Sequence, residues 1–232
     1  MQAVILAAGK GTRMKELTQS VPKPMLMVHG KTLIEHKLDA LPPEVTEVIL
    51  IIGYQGDSIR DYFKEEFHGR VIRYVEQQDL NGTAAALWLA RPFLTDRFVV
   101  MMGDDLYARK DVEACFASPE WSVLVEKTET MASGGRMVMD ERGFIVDIEE
   151  GDHTGKPGLM NTNMLALDPR LFEYPMVPKA LGSNEYGLPQ TVLAASKESG
   201  ISLAAVQASF WIQVTAPEDL QKAEAALLVF GR

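Results

Sequence analysis

The 232-residue sequence has one cysteine, four histidines and no long apolar run, and each shortage removes a class of protein. With Cys115 alone no disulfide can close within the chain, and no Cys/His cluster has zinc spacing. A solitary cysteine is expected to be a small buried apolar residue, which suits a reducing cytoplasm. No apolar stretch approaches the roughly 18 residues that span a bilayer. The run from Ala3 to Ala8 is too short for a secretory signal and has no base before it, so neither export by that route nor a membrane location is expected. Basic charge is short as well: 23 Lys and Arg face 32 Asp and Glu, a net charge of -9, which excludes a general nucleic-acid binder.

That shortage is uneven. Residues 1 to 31 hold Lys10, Arg13, Lys15, Lys23 and Lys31 against Glu16 alone, so an anion is expected to bind near the N-terminus. At 47% hydrophobic and 24% charged the chain reads as globular, with enough apolar material for a substantial core. Short Val/Ile-rich runs recur at Val4 to Ala7, Val48 to Ile52, Val71 to Val75, Phe98 to Met102 and Val123 to Val125. Helical spacing lies between them: Leu33, Ile34, Leu38 and Leu41, then Ile59, Tyr62, Phe63 and Phe67, then Ala84 to Leu94, broken late by Pro92. The alternation predicts an α/β fold: three α/β/α layers on a mainly parallel sheet, with ligands at the C-terminal ends of the strands.

After about residue 130 the pattern changes to a hairpin (136–140 and 144–149), a strand at 160–167, a helix near 188–197, a strand near 203–206 and a last helix. Thr215 to Glu218 reads as a capping box for that helix, with Leu220, Ala223, Leu227 and Phe230 as its apolar stripe. One domain over 1–232 is expected, with a nucleotide-binding half (1–130) and an acceptor-binding half with the C-terminal helix (131–232). The methionines, including Met101, Met102, Met137 and Met139, read as core filler, and Trp88 and Trp121 as core. His29, His36, His68 and His153 read as surface or packing residues.

Chemistry concentrates first at Leu6 to Met14, LAAGKGTRM, directly after a strand. Two glycines let the backbone approach a ligand closely, and Arg13 adds a fork of charged donors, a phosphate-cradling design. It is neither the dinucleotide fingerprint nor a P-loop, because Met14 takes the place of a third small residue and the Gly-Lys-Ser/Thr ending is missing. In VPKPM, Pro22 and Pro24 fix the backbone around Lys23, an arrangement that holds one ammonium in place.

LAAGKGTRM followed by VPKPMLMVHGKTLIEH resembles the sugar-phosphate nucleotidyltransferases, which make nucleotide sugars from a nucleoside triphosphate and a sugar 1-phosphate. The resemblance continues through Gln77, Asn81 to Ala84, Gly103 to Asp105, Asn161 and Thr162, Asn184 to Tyr186, and Trp211 to Asp219. It implies a Rossmann-like nucleotidyltransferase fold, related to the GT-A type, with an acceptor-side hairpin lobe. The sequence stops just after the last helix, so the acyltransferase β-helix of some bifunctional members is expected to be absent. The resemblance places Leu6, Ala8, Gly9, Gly11, Thr12 and Arg13 on the triphosphate, Arg13 bracing the departing pyrophosphate. It places Lys23 between the α-phosphate and the incoming phosphate, Gln77 with Gly82 and Thr83 on the base and ribose, and Asp104 on Mg2+. Asp105 either shares the metal or caps the turn that follows, and the cap is the preferred reading. Glu150, Asn161 and Glu185 match sugar-binding positions, and Trp211 is placed at the floor of the acceptor pocket.

The acceptor side departs from the family pattern. A Lys that often follows the Glu is here Gly151, the second metal Asp is here Gln213, and a Thr-Asp pair is replaced by Pro189 and Gln190. The expected reaction is Mg2+-dependent transfer of a nucleoside monophosphate from UTP or dTTP to a sugar 1-phosphate, with small molecules as the only partners and no expectation for oligomeric state. Two alternatives stand beside it: a cytidylyltransferase acting on a non-sugar alcohol phosphate, and a nucleotide-binding sensor without catalysis.

Overall fold

In the computed structural model, which describes residues 1–131 and 135–230, the alternation resolves into fourteen strands and six α-helices. The strands are β1 (Gln2–Leu6), β2 (Met27–Val28), β3 (Lys31–Thr32), β4 (Glu47–Ile52), β5 (Glu66–Phe67), β6 (Arg70–Glu76) and β7 (Phe98–Met102). They continue as β8 (Asp105–Tyr107), β9 (Trp121–Thr128), β10 (Arg136–Met139), β11 (Ile145–Glu149), β12 (Gly158–Leu167), β13 (Leu203–Gln207) and β14 (Trp211–Gln213). The helices are α1 (Leu33–Ala40), α2 (Gly56–Phe63), α3 (Thr83–Ala90), α4 (Arg109–Ala117), α5 (Leu188–Ser199) and α6 (Pro217–Phe230).

Strands β7, β1, β4 and β6 lie side by side and parallel at the centre of the main sheet. Strand β12 joins β7 antiparallel and extends the sheet to the β10–β11 hairpin, while β9 pairs with β12 and with β13. All five residues of β1 are buried, because both faces of the sheet are covered. Val4 and Leu6 meet α3 and α5 through Ala84, Leu87, Leu188 and Val192. Ala3 and Ile5 meet α1, α2 and α4 through Ile34, Leu38, Ile59, Phe63 and Val112. That is the three-layer, mainly parallel arrangement read from the sequence. Cys115 lies in this second core, where burial pushes its thiol up to about 12. Trp121 is wholly buried, and Trp88 packs edge-on against Phe172 with ring centroids 5.0 Å apart.

Local signals were read less accurately. Helix α2 ends at Phe63 and Phe67 belongs to β5, so the apparent four-residue stripe joins two elements. Met139 is half exposed on the hairpin rather than core filler. At α6 the carboxylate that reaches back to the Thr215 and Ala216 amides (3.0 and 2.9 Å) belongs to Asp219, not Glu218. A complete capping box forms instead at α1, where Glu35 N donates to Thr32 Oγ1 (3.1 Å) and Thr32 N donates to Glu35 Oε2 (2.6 Å). Leu220, Ala223 and Leu227 pack on Met14, Val28 and Val214 as the stripe requires, while Phe230 sits against the Phe210 ring at 4.5 Å.

Candidate active site

The loops after β1, β6 and β7 open at the C-terminal edge of the parallel strands, where they line a cavity of about 600 Å3. A second space of about 210 Å3 adjoins it, the two sharing Leu6, Gly9, Arg13, Met102 and Asp104 as lining. Each residue that the family pattern places on triphosphate, base, metal or acceptor lines one or the other, while Asp105, the second carboxylate considered for the metal, lines neither. The larger cavity holds Leu6, Ala8, Gly9, Arg13, Gln77, Gly82, Thr83, Asp104, Glu150, Asn161, Glu185, Trp211 and Gln213. The smaller adds Gly11, Thr12 and Lys23. Of the remaining N-terminal bases, Lys10 is exposed and Lys31 is paired with Asp39 at 2.5 Å.

The three marked glycines do different work. A methyl group added at Gly9 would meet nothing of the protein within 4 Å, and the residue lines both cavities. Gly11 has φ of +62° and lets Lys23 Cβ approach to 2.8 Å of where its own Cβ would stand. Gly82 has φ of +109°, and its missing Cβ leaves room for the backbone of Tyr186, 2.2 Å away. The close approach at Gly82 is made by the protein's own acceptor-side segment, while Gly82 and Thr83 also line the larger cavity. Tyr186 N donates to Asn81 O (2.8 Å), Ala84 N to Tyr186 O (3.1 Å) and Leu188 N to Thr83 Oγ1 (3.0 Å). Glu185 is thereby tied to the loop that follows Gln77.

Lys23 sits between Pro22 and Pro24 in a short 3-10 turn, its side chain largely buried, and Nζ donates to Asp104 Oδ2 at 2.5 Å. Asp104 keeps more exposure and faces both cavities. Asp105 does not cap a turn: it is wholly buried in β8, Oδ2 accepting from Tyr107 Oη and Trp211 Nε1, both at 3.2 Å. Its Oδ1 has no partner. Burial, and secondly the charge of Asp104, raise this carboxyl to about 8. Lys37, wholly buried with Nζ donating to Leu33 O at 2.9 Å, is pulled down to about 8 by burial, against the opposing charges of Asp104 and Asp105. Lys23, Lys37, Asp104 and Asp105 thus form a cluster of two lysines and two carboxyl groups, in which burial disfavours the charged forms of Lys37 and Asp105.

Sequence reasoning passed over Lys37, although it sits on the Leu33, Ile34, Leu38 and Leu41 stripe, where a charged residue is a signal of burial. It also passed over Asn163 and Lys179, and took Gln190 only as a departure from the family pattern; all three line the cavity. Asn161 Oδ1 accepts from Asn163 N at 2.8 Å, and Gln190 Nε2 donates to Glu150 Oε1 at 2.8 Å. Gln77 is nearly buried and its Nε2 makes only long bonds, 3.4 Å each, to Asn81 Oδ1 and Gly82 O. Pairing of β14 with β8 sets Gln213 opposite Asp105, and Val214 N donates to Asp104 O at 3.2 Å; Gln213 and Asp104 both line the larger cavity. Among the described residues no group of three or more His, Cys, Asp or Glu is arranged to hold a metal. None of their helices is long and apolar enough to cross a membrane.

The family model described as "Nucleotidyl transferase" matches residues 2–227. Among curated proteins the chain is 30% identical over 228 residues to a "Bifunctional protein GlmU" of Methanocaldococcus jannaschii, covering 98% of this chain and 54% of the relative. The chain therefore spans about half the length of that relative. It is 28% identical over 242 residues to the "UTP--glucose-1-phosphate uridylyltransferase AglF" of Haloferax volcanii, covering 98% and 96%. A crystal structure from Bacillus anthracis, described as a glucose-1-phosphate thymidylyltransferase with sucrose bound, superposes with a TM-score of 0.81 at 26% identity, covering 97% and 94%. The inositol-1-phosphate CTP transferase from T. maritima has a TM-score of 0.80 at 18% identity, covering 98% and 94%, a likeness of fold alone.

Proposed function

This chain belongs to the nucleotidyl transferase family, and we propose that it transfers a nucleoside monophosphate from an NTP, UTP or dTTP in preference, to a sugar 1-phosphate with release of pyrophosphate. The convergence of Arg13, Lys23 and Asp104 on two adjoining cavities at the strand ends carries this reading. The attacking oxygen belongs to a phosphate already ionised at neutral pH, so no general base is required. The remaining tasks are to align two polyanions and offset their repulsion.

The residues present divide those tasks. Open space over Gly9 admits the triphosphate, and Arg13 offers a planar fork to the departing pyrophosphate. Lys23 is held rigidly by its flanking prolines, so its ammonium is oriented toward the α-phosphate before substrate arrives. Its present partner is Asp104, and substrate binding exchanges that ion pair for contacts to phosphate. Gln77 presents both an amide donor and an acceptor to a base edge. Glu150, Asn161 and Glu185 supply acceptors and an amide for hydroxyls, with Trp211 as floor.

Mg2+ fits this donor set, because it favours one or two carboxylates with phosphate oxygens and water; Asp104 would hold it, with the neutral Gln213 lining the same cavity. When bound it would supply further neutralisation of phosphate charge. Cytoplasmic location is part of the proposal, in keeping with the buried thiol of Cys115.

A matrix of NTPs against sugar 1-phosphates and alcohol phosphates, read by pyrophosphate release, tests the reading. Release is expected only with NTP, acceptor and divalent metal together, and Lys23→Ala or Asp104→Ala should lower the rate by several orders of magnitude. Full activity in both variants would show that the site is misassigned. Gly151 and Gln213 motivate the alternative acceptor, and turnover with CTP and an alcohol phosphate alone would select it. NTP binding without turnover for any acceptor would select a sensor.

A further inference from the structure

The lining of the larger cavity includes two cationic side chains, Arg13 and Lys179, against three carboxylates, Asp104, Glu150 and Glu185. Arg13 lies in the Gly-rich loop, with Lys23 in the adjoining space, so both stand on the triphosphate side. Lys179 comes from the segment between β12 and α5, on the side of Glu185 and Gln190. An acceptor phosphate entering from there meets two carboxylates and this one lysine. We propose, resting on the transfer reading above, that Lys179 is a specificity-determining residue that receives the phosphate of the acceptor.

Three observations support the assignment. Lys179 is available: its Nζ lies 3.6 Å from Glu185 Oε2, with the two side chains 65% and 54% exposed, a loose pair in water that a doubly charged phosphate can displace. Its backbone is anchored: Lys179 N donates to Glu185 O at 2.7 Å, Pro178 bridges Tyr186, and Tyr186 is bonded to Asn81 and Ala84. The ammonium therefore swings on a flexible stem from a fixed base. Other sources of charge are spent or absent, since Gly151 after Glu150 carries none and Arg136 on the hairpin forks onto Glu149 at 2.9 and 2.6 Å. Exchange of Lys179 from Glu185 to the phosphate also frees that carboxylate to accept from an acceptor hydroxyl.

The test uses the full chain and the acceptor that gives the highest rate in the NTP-by-acceptor matrix. Lys179→Met should raise the acceptor KM about 10- to 100-fold, the range for a lost charge-assisted hydrogen bond. The KM for NTP should stay within about twofold, and Lys179→Arg should recover most of the loss. The unphosphorylated form of the same acceptor, used as a competitive inhibitor, should inhibit Lys179→Met at least as well as wild type, because the variant loses only a phosphate contact and leaves Glu185 unpaired. An unchanged acceptor KM, or equal losses for acceptor, NTP and the unphosphorylated inhibitor, would overturn the assignment. If wild type turns over no acceptor, the transfer reading fails, and calorimetric titration of inorganic phosphate into wild type and Lys179→Met decides the lysine's role separately. Weaker phosphate binding by the variant supports it, and equal binding refutes it.

Discussion

Replacing Gly82 with alanine should damage the protein through a contact that involves no ligand. The added Cβ would stand 2.2 Å from Tyr186 O and 2.5 Å from Tyr186 N, where ordinary contact begins near 3.4 Å. One backbone must retreat by about 1 Å, and neither is the yielding end of a side chain. Overpacking of this kind costs about 1–3 kcal/mol. Holding a residue with a Cβ at φ of +109° adds about 1–3 kcal/mol. The expected loss is therefore about 2–6 kcal/mol if the fold keeps its geometry. If the acceptor segment yields instead, Tyr186 gives up its bonds to Asn81 and Ala84, and Glu185 and Lys179 shift with it, so part of the cost appears as a raised acceptor KM. Urea unfolding followed by tryptophan fluorescence, beside pyrophosphate-release kinetics, reads both quantities. A variant with the wild-type midpoint and an unchanged acceptor KM would refute the argument.

Gly9→Ala is the complementary case: its methyl meets nothing of the protein, so the urea midpoint should hold within about 0.5 kcal/mol while the NTP KM rises about 10-fold or more. An unchanged NTP KM would show that the nucleotide does not pass over Gly9. Asp105→Asn tests the Lys/Asp cluster through pH. Burial raises this carboxyl to about 8 from 3.8, so its contribution to stability is complete below about pH 4 and is lost as pH rises through about 8. Wild type should therefore lose stability relative to Asp105→Asn between about pH 5 and pH 8, by at most about 4 kcal/mol at 1.36 kcal/mol per unit. A difference that stays flat across that range in chemical denaturation would contradict a carboxyl held neutral by burial.

The layered parallel fold was legible because its cause is local and periodic. Val/Ile runs separated by helical stripes admit few other arrangements, and β1, β4, β6 and β7 fall where those runs stand; β1, β4 and β7 are buried on both faces, whereas β6 buries only Ile72 and leaves Val71 exposed. The lining of the smaller space was legible for a similar reason: Gly9, Gly11, Arg13 and the proline-flanked Lys23 lie close along the chain, and all four line it. What adjacency does not carry was misread or missed. Asp105 looks like a turn cap beside Asp104, yet strand pairing buries it under Trp211, and Lys37 joins it from a helix that the sequence sets far away. Lys179 carries no motif at all; only the bonding of Tyr186 to the Gly82 loop brings its segment to the cavity.

The sequence by itself therefore determined the class of fold, the cluster of basic residues near the N-terminus and the family pattern, because each is encoded in residues close along the chain. Tertiary structure alone decided which charges are buried, which backbone Gly82 makes room for, and that Lys179 joins Glu185 at the cavity. Those outcomes depend on contacts between distant segments, whose desolvation and closeness exist only after the sheet has assembled.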